Sequence, residues 1–334
     1  MTKKLNCKYL QVNKLGKKFK LITKEEKIDF KLKKDEVIIK NFFSSINYRD
    51  FLSFKGNLAV ARKFPYIPGV DFVGEIINSS SKKFPIGIKV GSFAIPNGSA
   101  YPGVWSNYFK LSTKNLFIIK KGWNLEDVIT IGTAGLAAAS GVSSIIKNKS
   151  YKKDQSFSLL VTGATGGVGS ISCILGSLLG WRIIAVTREL KKNSSFLKRV
   201  GVNEIIDIKS FLSSSSMNLL QQKYDAAIDC LGGDTLSCVI KKLKNNGVCA
   251  SAGLVADHGL SNLTVIPFLI RGVSLIGTGS EILDKKRKNE SFQLISELIK
   301  SKLLKKLRKR IKFNEVNYFL NNWTSKKHKG RIIF

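Results

Sequence analysis

Acidic side chains are scarce in this chain. Only 23 Asp and Glu stand against 56 Lys and Arg among 334 residues, a formal net charge of +33. Histidine is scarcer still, with His258 and His328 alone, and the five cysteines (Cys7, Cys173, Cys230, Cys238 and Cys249) form no C-x-x-C pair. Two imidazoles and dispersed thiols do not make a zinc cluster, and the cysteines read as free thiols of a cytosolic protein. No run of about 18 apolar residues is present, so no membrane span is expected. The opening MTKKLNCKYLQVNKLGKKF has neither an apolar core nor a small-residue cleavage site and does not read as a secretory signal. The charge would suit a nucleic-acid or membrane-surface binder. Yet the lysines run along the whole chain, densest at 285–288 and 302–310. Such even spreading describes solvated positions rather than a patch, so no specific nucleic-acid partner and no membrane are expected. A basic surface does draw in small polyanions.

What is present is concentrated at 158–188, SLLVTGATGGVGSISCILGSLLGWRIIAVTR. Ser158–Thr162 reads as a strand buried on both faces. Glycines follow at Gly163, Gly166, Gly167 and Gly169. Ile171, Ile174, Leu175 and Leu178 then recur at i, i+3, i+4 and i+7, one apolar stripe of a helix. Gly180 closes that helix and Arg182–Thr187 is a second buried strand. A pyrophosphate can rest against the first turn of a helix only where backbone N–H groups point at it and no Cβ intervenes. Gly163, Thr165, Gly166, Gly167, Val168 and Gly169 are therefore assigned to a dinucleotide. The second strand ends Val186-Thr187-Arg188. A hydroxyl followed by an arginine suits a ribose 2′-phosphate, so Thr187 and Arg188 favour NADPH over NADH. Glu189 stands close enough to serve instead as the acid that accepts from a ribose 2′-hydroxyl.

Before this unit the pattern is short strands and turns. A strand at 35–42 leads through Ser44–Asp50 to a brief helix at 51–56, a proline-bounded loop running into a strand over 64–75, and further strands at 84–91 and 103–111, spacing that suits a small, partly open barrel. Residues 124–148 read as helical, and Gly132-Thr133-Ala134-Gly135 within them reads equally as close packing or as a cofactor-side feature. Buried strands are expected at 204–208, 224–231, 248–252 and 273–276, with Asn245-Asn246-Gly247 as a turn. The ends of parallel strands face the ligand crevice, which makes Leu254 and Ser280 candidates to line the nicotinamide site. A long basic amphipathic helix at 292–307, a short helix at 316–322 and a final strand at 330–334 complete the chain.

Ile46-Asn47-Tyr48-Arg49-Asp50, Pro65-Tyr66-Ile67-Pro68-Gly69-Val70-Asp71-Phe72-Val73-Gly74, Gly132-Thr133-Ala134-Gly135, TGATGGVG at 162–169 and Pro267-Phe268-Leu269-Ile270-Arg271 occur in colinear order over nearly the whole chain. Together they resemble the medium-chain dehydrogenase/reductase superfamily, in its zinc-free quinone-oxidoreductase-like branch and, within that, the bacterial acryloyl-coenzyme A reductases. The resemblance implies an α/β protein with a GroES-like, partly open β-barrel catalytic domain at 1–125 and 281–334, discontinuous because the C-terminal part returns to it. A Rossmann domain with a doubly wound parallel sheet would occupy 126–280. It implies NADPH as cofactor, with Leu269 among the residues that hold it, and a homodimer through edge strands of the cofactor domain. Zinc-dependent members resemble G-H-E-x-x-G where this chain has Gly69-Val70-Asp71-Phe72-Val73-Gly74. Valine cannot ligate a metal.

The reaction implied is conjugate reduction of acryloyl-coenzyme A. Hydride goes to the β-carbon, and the enolate is protonated at the α-carbon. An enolate oxygen calls for a hydrogen-bond donor, and Tyr48, in the Asn47-Tyr48 motif, is the catalytic candidate. It either donates to the enolate or positions the cofactor, with water as proton source. The branch resembles G-G-L-A-E where Gly103-Val104-Trp105-Ser106-Asn107 stands here, and the substrate loop at 98–102 is short, so Trp105 bears on substrate size. A quinone or enal reductase is the alternative enzyme. A protein that has turned the dinucleotide fold to RNA binding, as the related zeta-crystallins suggest can happen, is the alternative of another class.

Overall fold

The computed structural model describes residues 2–96, 103–148, 151, 156–213, 216–323 and 328–334. In chain order the strands are β1 (Thr2–Leu15), β2 (Lys18–Lys31), β3 (Glu36–Ile46), β4 (Phe72–Ser79), β5 (Lys89–Ser92), β6 (Tyr108–Ser112), β7 (Phe117–Ile118), β8 (Ser158–Thr162), β9 (Arg182–Thr187), β10 (Glu204–Asp207), β11 (Tyr224–Asp229), β12 (Leu243–Ser251), β13 (Ser274–Gly277), β14 (Arg308–Arg310) and β15 (Arg331–Ile333). The helices are α1 (Tyr48–Phe54), α2 (Leu125–Ile146), α3 (Gly167–Leu178), α4 (Leu190–Arg199), α5 (Ile208–Leu212), α6 (Gly233–Lys242), α7 (Ile266–Arg271), α8 (Lys285–Leu298), α9 (Ser301–Leu307) and α10 (Val316–Asn321).

The chain divides into two compact units. The first comprises Met1–Thr133, Arg308–Trp323 and Arg331–Phe334; the second comprises Ala134–Leu307 and Thr324–Gly330. The return to the first unit thus begins at Arg308, not at 281. The reason lies in α8, which belongs to the second unit, where Glu290 receives Lys147 Nζ at 2.9 Å. The expected continuous helix at 292–307 is likewise two helices. Ile299 takes extended backbone angles (φ −94°, ψ 112°) and ends α8 before α9 begins.

In the first unit a seven-stranded sheet runs β14-β15-β3-β4-β5-β7, with β6 on the other side of β3. Strands β3, β4 and β6 pair antiparallel and alternate inward apolar residues (Val37, Ile39, Phe72, Ile76, Phe109, Leu111) over a common core. Strands β1 and β2, which no individual strand expectation covers, form a two-stranded ribbon in register from Thr2↔Lys31 to Leu15↔Lys18. Most of β2 is exposed, so the apolar alternation that announces a half-buried strand is largely absent. Where the ribbon meets the unit, Leu10, Val12 and Leu21 join Ile46, Phe54, Ile332 and Trp105 in a second core. Trp105, whose departure from the branch pattern bears on substrate size, is fully buried there, edge-on to Phe334. The loop at 98–102 lies outside the described residues.

The second unit is a six-stranded parallel sheet in the order β10-β9-β8-β11-β12-β13, the doubly wound 3-2-1-4-5-6 arrangement. Its strands are aliphatic on both faces because helices cover both. The turn expected at 245–247 lies inside β12, where Asn246 adopts φ 59°. Helix α2 is long and apolar enough to cross a membrane by composition, yet 78% of its apolar window is buried inside the protein, as in the core helix of a globular fold.

Candidate active site

In the second unit the strand order reverses between β8 and β11, and both strands end there in ligand-ready turns. After Thr162 the chain enters Gly163 with φ 59°, a left-handed conformation that glycine adopts without strain. Gly166 N–H then donates to Gly163 O at 2.9 Å and Gly166 caps α3. A Cβ on Gly169 would come within 2.7 Å of Ala164 Cα, so glycine is required for the helix to pack this closely on the turn. The N–H groups of Gly167, Val168 and Gly169 donate to no protein acceptor among the described residues, as the first turn of a helix leaves them. The positive end of a twelve-residue helix therefore stands at a turn whose backbone at Gly163, Gly166 and Gly167 carries no Cβ.

Across the switch point Asp229 ends β11, fully buried. It accepts from Thr162 Oγ1 at 2.5 Å and from Gly232 N at 2.8 Å, which locks the two strand ends together. Burial pushes its carboxyl above the usual carboxylate range, against the hydrogen bonds that favour the charged form.

Thr187 and Arg188 stand at the end of β9. Thr187 is buried and its hydroxyl accepts from Asn193 Nδ2 at 2.8 Å, while Arg188 is exposed. Two buried acceptor oxygens here, Glu189 Oε2 and Asn193 Oδ1, have no donor among the described residues. Glu189, the alternative ribose acid, thus keeps an open acceptor among the described residues. Residues 328–330, missed as site residues, also reach this edge. Gly330 N–H donates to Thr165 O at 2.8 Å and Lys329 Nζ to Lys192 O at 2.7 Å. No local motif marks them, since they lie 165 residues beyond the turn they support.

Leu254 follows β12 and is 55% exposed, and Leu269 on α7 is 78% exposed. Ser280, by contrast, is 7% exposed and opens a short 3₁₀ turn after β13. Arg271 of the same motif is structural. Its guanidinium donates to the carbonyls of Leu220 at 2.7 Å and Lys241 at 2.8 Å.

Tyr48 lies in the first unit. It is the first residue of α1, half-buried and stacked on Phe51 with ring centroids 6.0 Å apart. Asn47 caps this helix and Asp50 closes a capping box, its Oδ2 accepting from Asn47 N at 2.8 Å and its Oδ1 from Gly69 N at 3.0 Å. Burial, and secondarily the negative charge of Asp71, pushes the Asp50 carboxyl up to about 7.

Asp71 is fully buried immediately before β4 and is surrounded by donors: Ser45 Oγ at 2.7 Å, Asn47 Nδ2 at 2.9 Å, Thr133 N at 2.9 Å, Ala94 N at 3.3 Å, Arg331 Nη2 at 3.3 Å and the Thr133 hydroxyl. Val70, beside it, presents only hydrocarbon. Among the described residues no three His, Cys, Asp or Glu side chains gather as a metal-holding group.

A Rossmann sheet with a phosphate-ready glycine turn, carried with a GroES-like barrel, defines a nucleotide-dependent oxidoreductase of the alcohol-dehydrogenase type. Comparison with known proteins agrees. Residues 33–121 match the family described as alcohol dehydrogenase GroES-like domain, and residues 167–297 match zinc-binding dehydrogenase. The chain is 30% identical over 303 residues to YhfP of Bacillus subtilis, named a putative quinone oxidoreductase, covering 90% of this chain and 91% of that one. It is also 30% identical over 250 residues to the acrylyl-CoA reductase AcuI of Ruegeria pomeroyi, 73% of each. The crystal structure of the Salmonella enterica yhdH oxidoreductase in complex with NADP superposes with a TM-score of 0.89 at 26% identity, covering 98% of both chains. This chain belongs to the medium-chain dehydrogenase/reductase family and is an oxidoreductase of its quinone-oxidoreductase-like and acrylyl-CoA reductase branch.

Proposed function

We propose that this enzyme uses NADPH to reduce the activated C=C bond of acryloyl-coenzyme A to propanoyl-coenzyme A, with no catalytic metal. The observation that carries the reading is the glycine turn, whose first helical N–H groups have no acceptor among the described residues and whose helix terminus favours a pyrophosphate. Thr165, Gly166, Gly167, Val168 and Gly169 would hold that group and Gly163 would let it approach. Thr187 and Arg188 would take the ribose 2′-phosphate, and Leu254, Leu269 and Ser280 would flank the nicotinamide. When bound, the dinucleotide supplies the hydride.

Tyr48 is assigned the hydrogen bond to the thioester oxygen as it gains enolate charge, a donor placed where negative charge develops. Water delivers the α-proton. The similarity to AcuI of Ruegeria pomeroyi supports the thioester, and that to the Salmonella protein complexed with NADP supports the cofactor. A homodimer fits the second unit, where β13 is the sheet edge and Val265, Ile270 and Leu275 beside it are exposed. Five free, buried cysteines fit a reducing, cytoplasmic compartment.

The test is steady-state oxidation of NADPH, and separately of NADH, with acryloyl-coenzyme A as acceptor and a simple quinone as control. Thioester-dependent turnover that prefers NADPH is the expected result. Turnover of the quinone alone would move the assignment to a quinone reductase, the reading that the similarity to YhfP favours.

A further inference from the structure

The first unit buries a charged cluster that the reaction does not call for. Arg331 is 3% exposed and Asp71 fully buried, and the guanidinium uses all three nitrogens to join three segments of the chain, around 45–47, 71 and 130. Its Nε donates to Thr130 O at 3.0 Å, Nη1 to Asn47 Oδ1 at 2.9 Å, and Nη2 to Ser45 Oγ at 2.8 Å and Asp71 Oδ2 at 3.3 Å. Asn47 is thus held from both ends of its amide, by Arg331 on the oxygen and by Asp71 on the nitrogen. Asn47 is also the N-cap of the helix whose first residue is Tyr48.

The main chain gives way to admit this cluster. Helix α2 is broken at Gly132, where φ is 50° and ψ −163°. A Cβ there would lie within 2.6 Å of Asp71 Oδ2 and would strike Arg331 as well. Stability alone does not account for such an arrangement, since buried ion pairs lose in desolvation about what they gain in attraction, and apolar residues of equal volume serve at least as well. What the cluster supplies is direction: a planar, forked cation and a carboxylate define one orientation of the Asn47 amide, which packing of apolar groups would leave free.

We propose that Arg331 and Asp71, with Ser45 between them, are positioning residues for the reaction: they fix the Asn47 cap and through it the start of α1, and so set the placement of the Tyr48 hydroxyl. The proposal rests on the role assigned to Tyr48 above. Arg331 acts from the last strand of the chain, 283 residues after Tyr48 in sequence.

The experiment is a double-mutant cycle on the full-length enzyme, with Arg331→Lys and, as a milder change that keeps both charges, Ser45→Ala, each made alone and with Tyr48→Phe. Thermal unfolding is recorded for every variant. The expected result is a kcat lowered about tenfold by either change with KM for NADPH within about twofold, and less than about twofold further loss when either is added to Tyr48→Phe, because residues acting as a unit are not additive. Losses that multiply in the Tyr48→Phe background, or that follow melting temperature alone, would overturn the positioning role and leave Tyr48 standing. An unchanged kcat for Tyr48→Phe itself would overturn the role of Tyr48, and the proposal with it. Should Arg331→Lys fail to fold, Ser45→Ala decides the matter.

Discussion

In the second unit the sheet interior is almost wholly aliphatic. Leu159, Leu160, Val161, Ile183, Ile184, Ala227, Ile228 and Ala250 are at most 2% exposed, and polar groups gather at the strand ends. In the first unit Asp50, Asp71 and Arg331 are buried just as deeply, with Ser45 and Asn47 among them. The first arrangement lets hydrophobic burial set the shape and leaves one edge to bind phosphate. The second gives the interior a hydrogen-bonding pattern with a direction, and the residue that begins at the end of that pattern is Tyr48. Burial alone therefore does not distinguish a packing core from a positioning one; the identity of the buried groups does.

Substitution at the charged core is expected to have the largest effect on that contrast. Arg331→Met leaves the Asp71 carboxylate buried without its cation, and loss of one partner of a buried pair costs about 3–5 kcal/mol. Denaturant unfolding reads it, and a cost under about 1 kcal/mol would erase the distinction between the two cores. In the apolar core Leu160→Ala should cost about 2–5 kcal/mol through lost transfer energy and the cavity left behind. Here the melting temperature falls while the NADPH/NADH preference stays the same, and a changed preference would contradict the separation of packing from recognition.

At the strand edge Arg188→Ala should weaken NADPH about ten- to hundredfold, the loss of a charge-assisted bond worth roughly 1.5–3 kcal/mol, with NADH binding unaltered. Glu189→Gln, which neutralises the carboxylate carrying an open acceptor, should weaken NADH instead. Fluorescence titration with each cofactor separates the two.

The smallest effect is in pH dependence. Burial holds the Asp50 carboxyl up to about 7, above its ordinary value of 3.8. Between those values the folded chain binds more protons than the unfolded one, so this group's contribution is fully present below about pH 4 and is lost as pH rises toward 7. The melting temperature of the parent protein relative to Asp50→Asn should therefore decline from pH 4 to pH 7. A difference that is flat or rises would mean that Asp50 is ionised in the folded state throughout.

Much of the second unit is legible in the order of residues alone. Buried runs such as Leu159-Leu160-Val161 and the i, i+3, i+4, i+7 stripe of α3 are local patterns, and the glycines between them reflect a local steric demand. The charged core is not legible in that way. By sequence Asp50 only ends the segment before the expected helix at 51–56, and Arg331 is one more cation among 56. Trp105 points toward the substrate only because its neighbours differ from the family pattern, yet Gly69, Phe334 and the ribbon close around it. The ribbon itself leaves little trace in the sequence, since β2 is exposed along most of its length.

The sequence by itself determined the doubly wound nucleotide fold, its glycine turn and the absence of a metal ligand at Val70, because each depends on side chains a few residues apart whose sterics and periodicity act within one element. Only the tertiary structure decided that Asp71 and Arg331, 260 residues apart, meet at the kink of Gly132. It also decided that 328–330 returns to the glycine turn and that α8 and α9 stay with the second unit. Such pairings answer to the desolvation of charge and to space left by distant segments, and neither is set until the chain has closed around them.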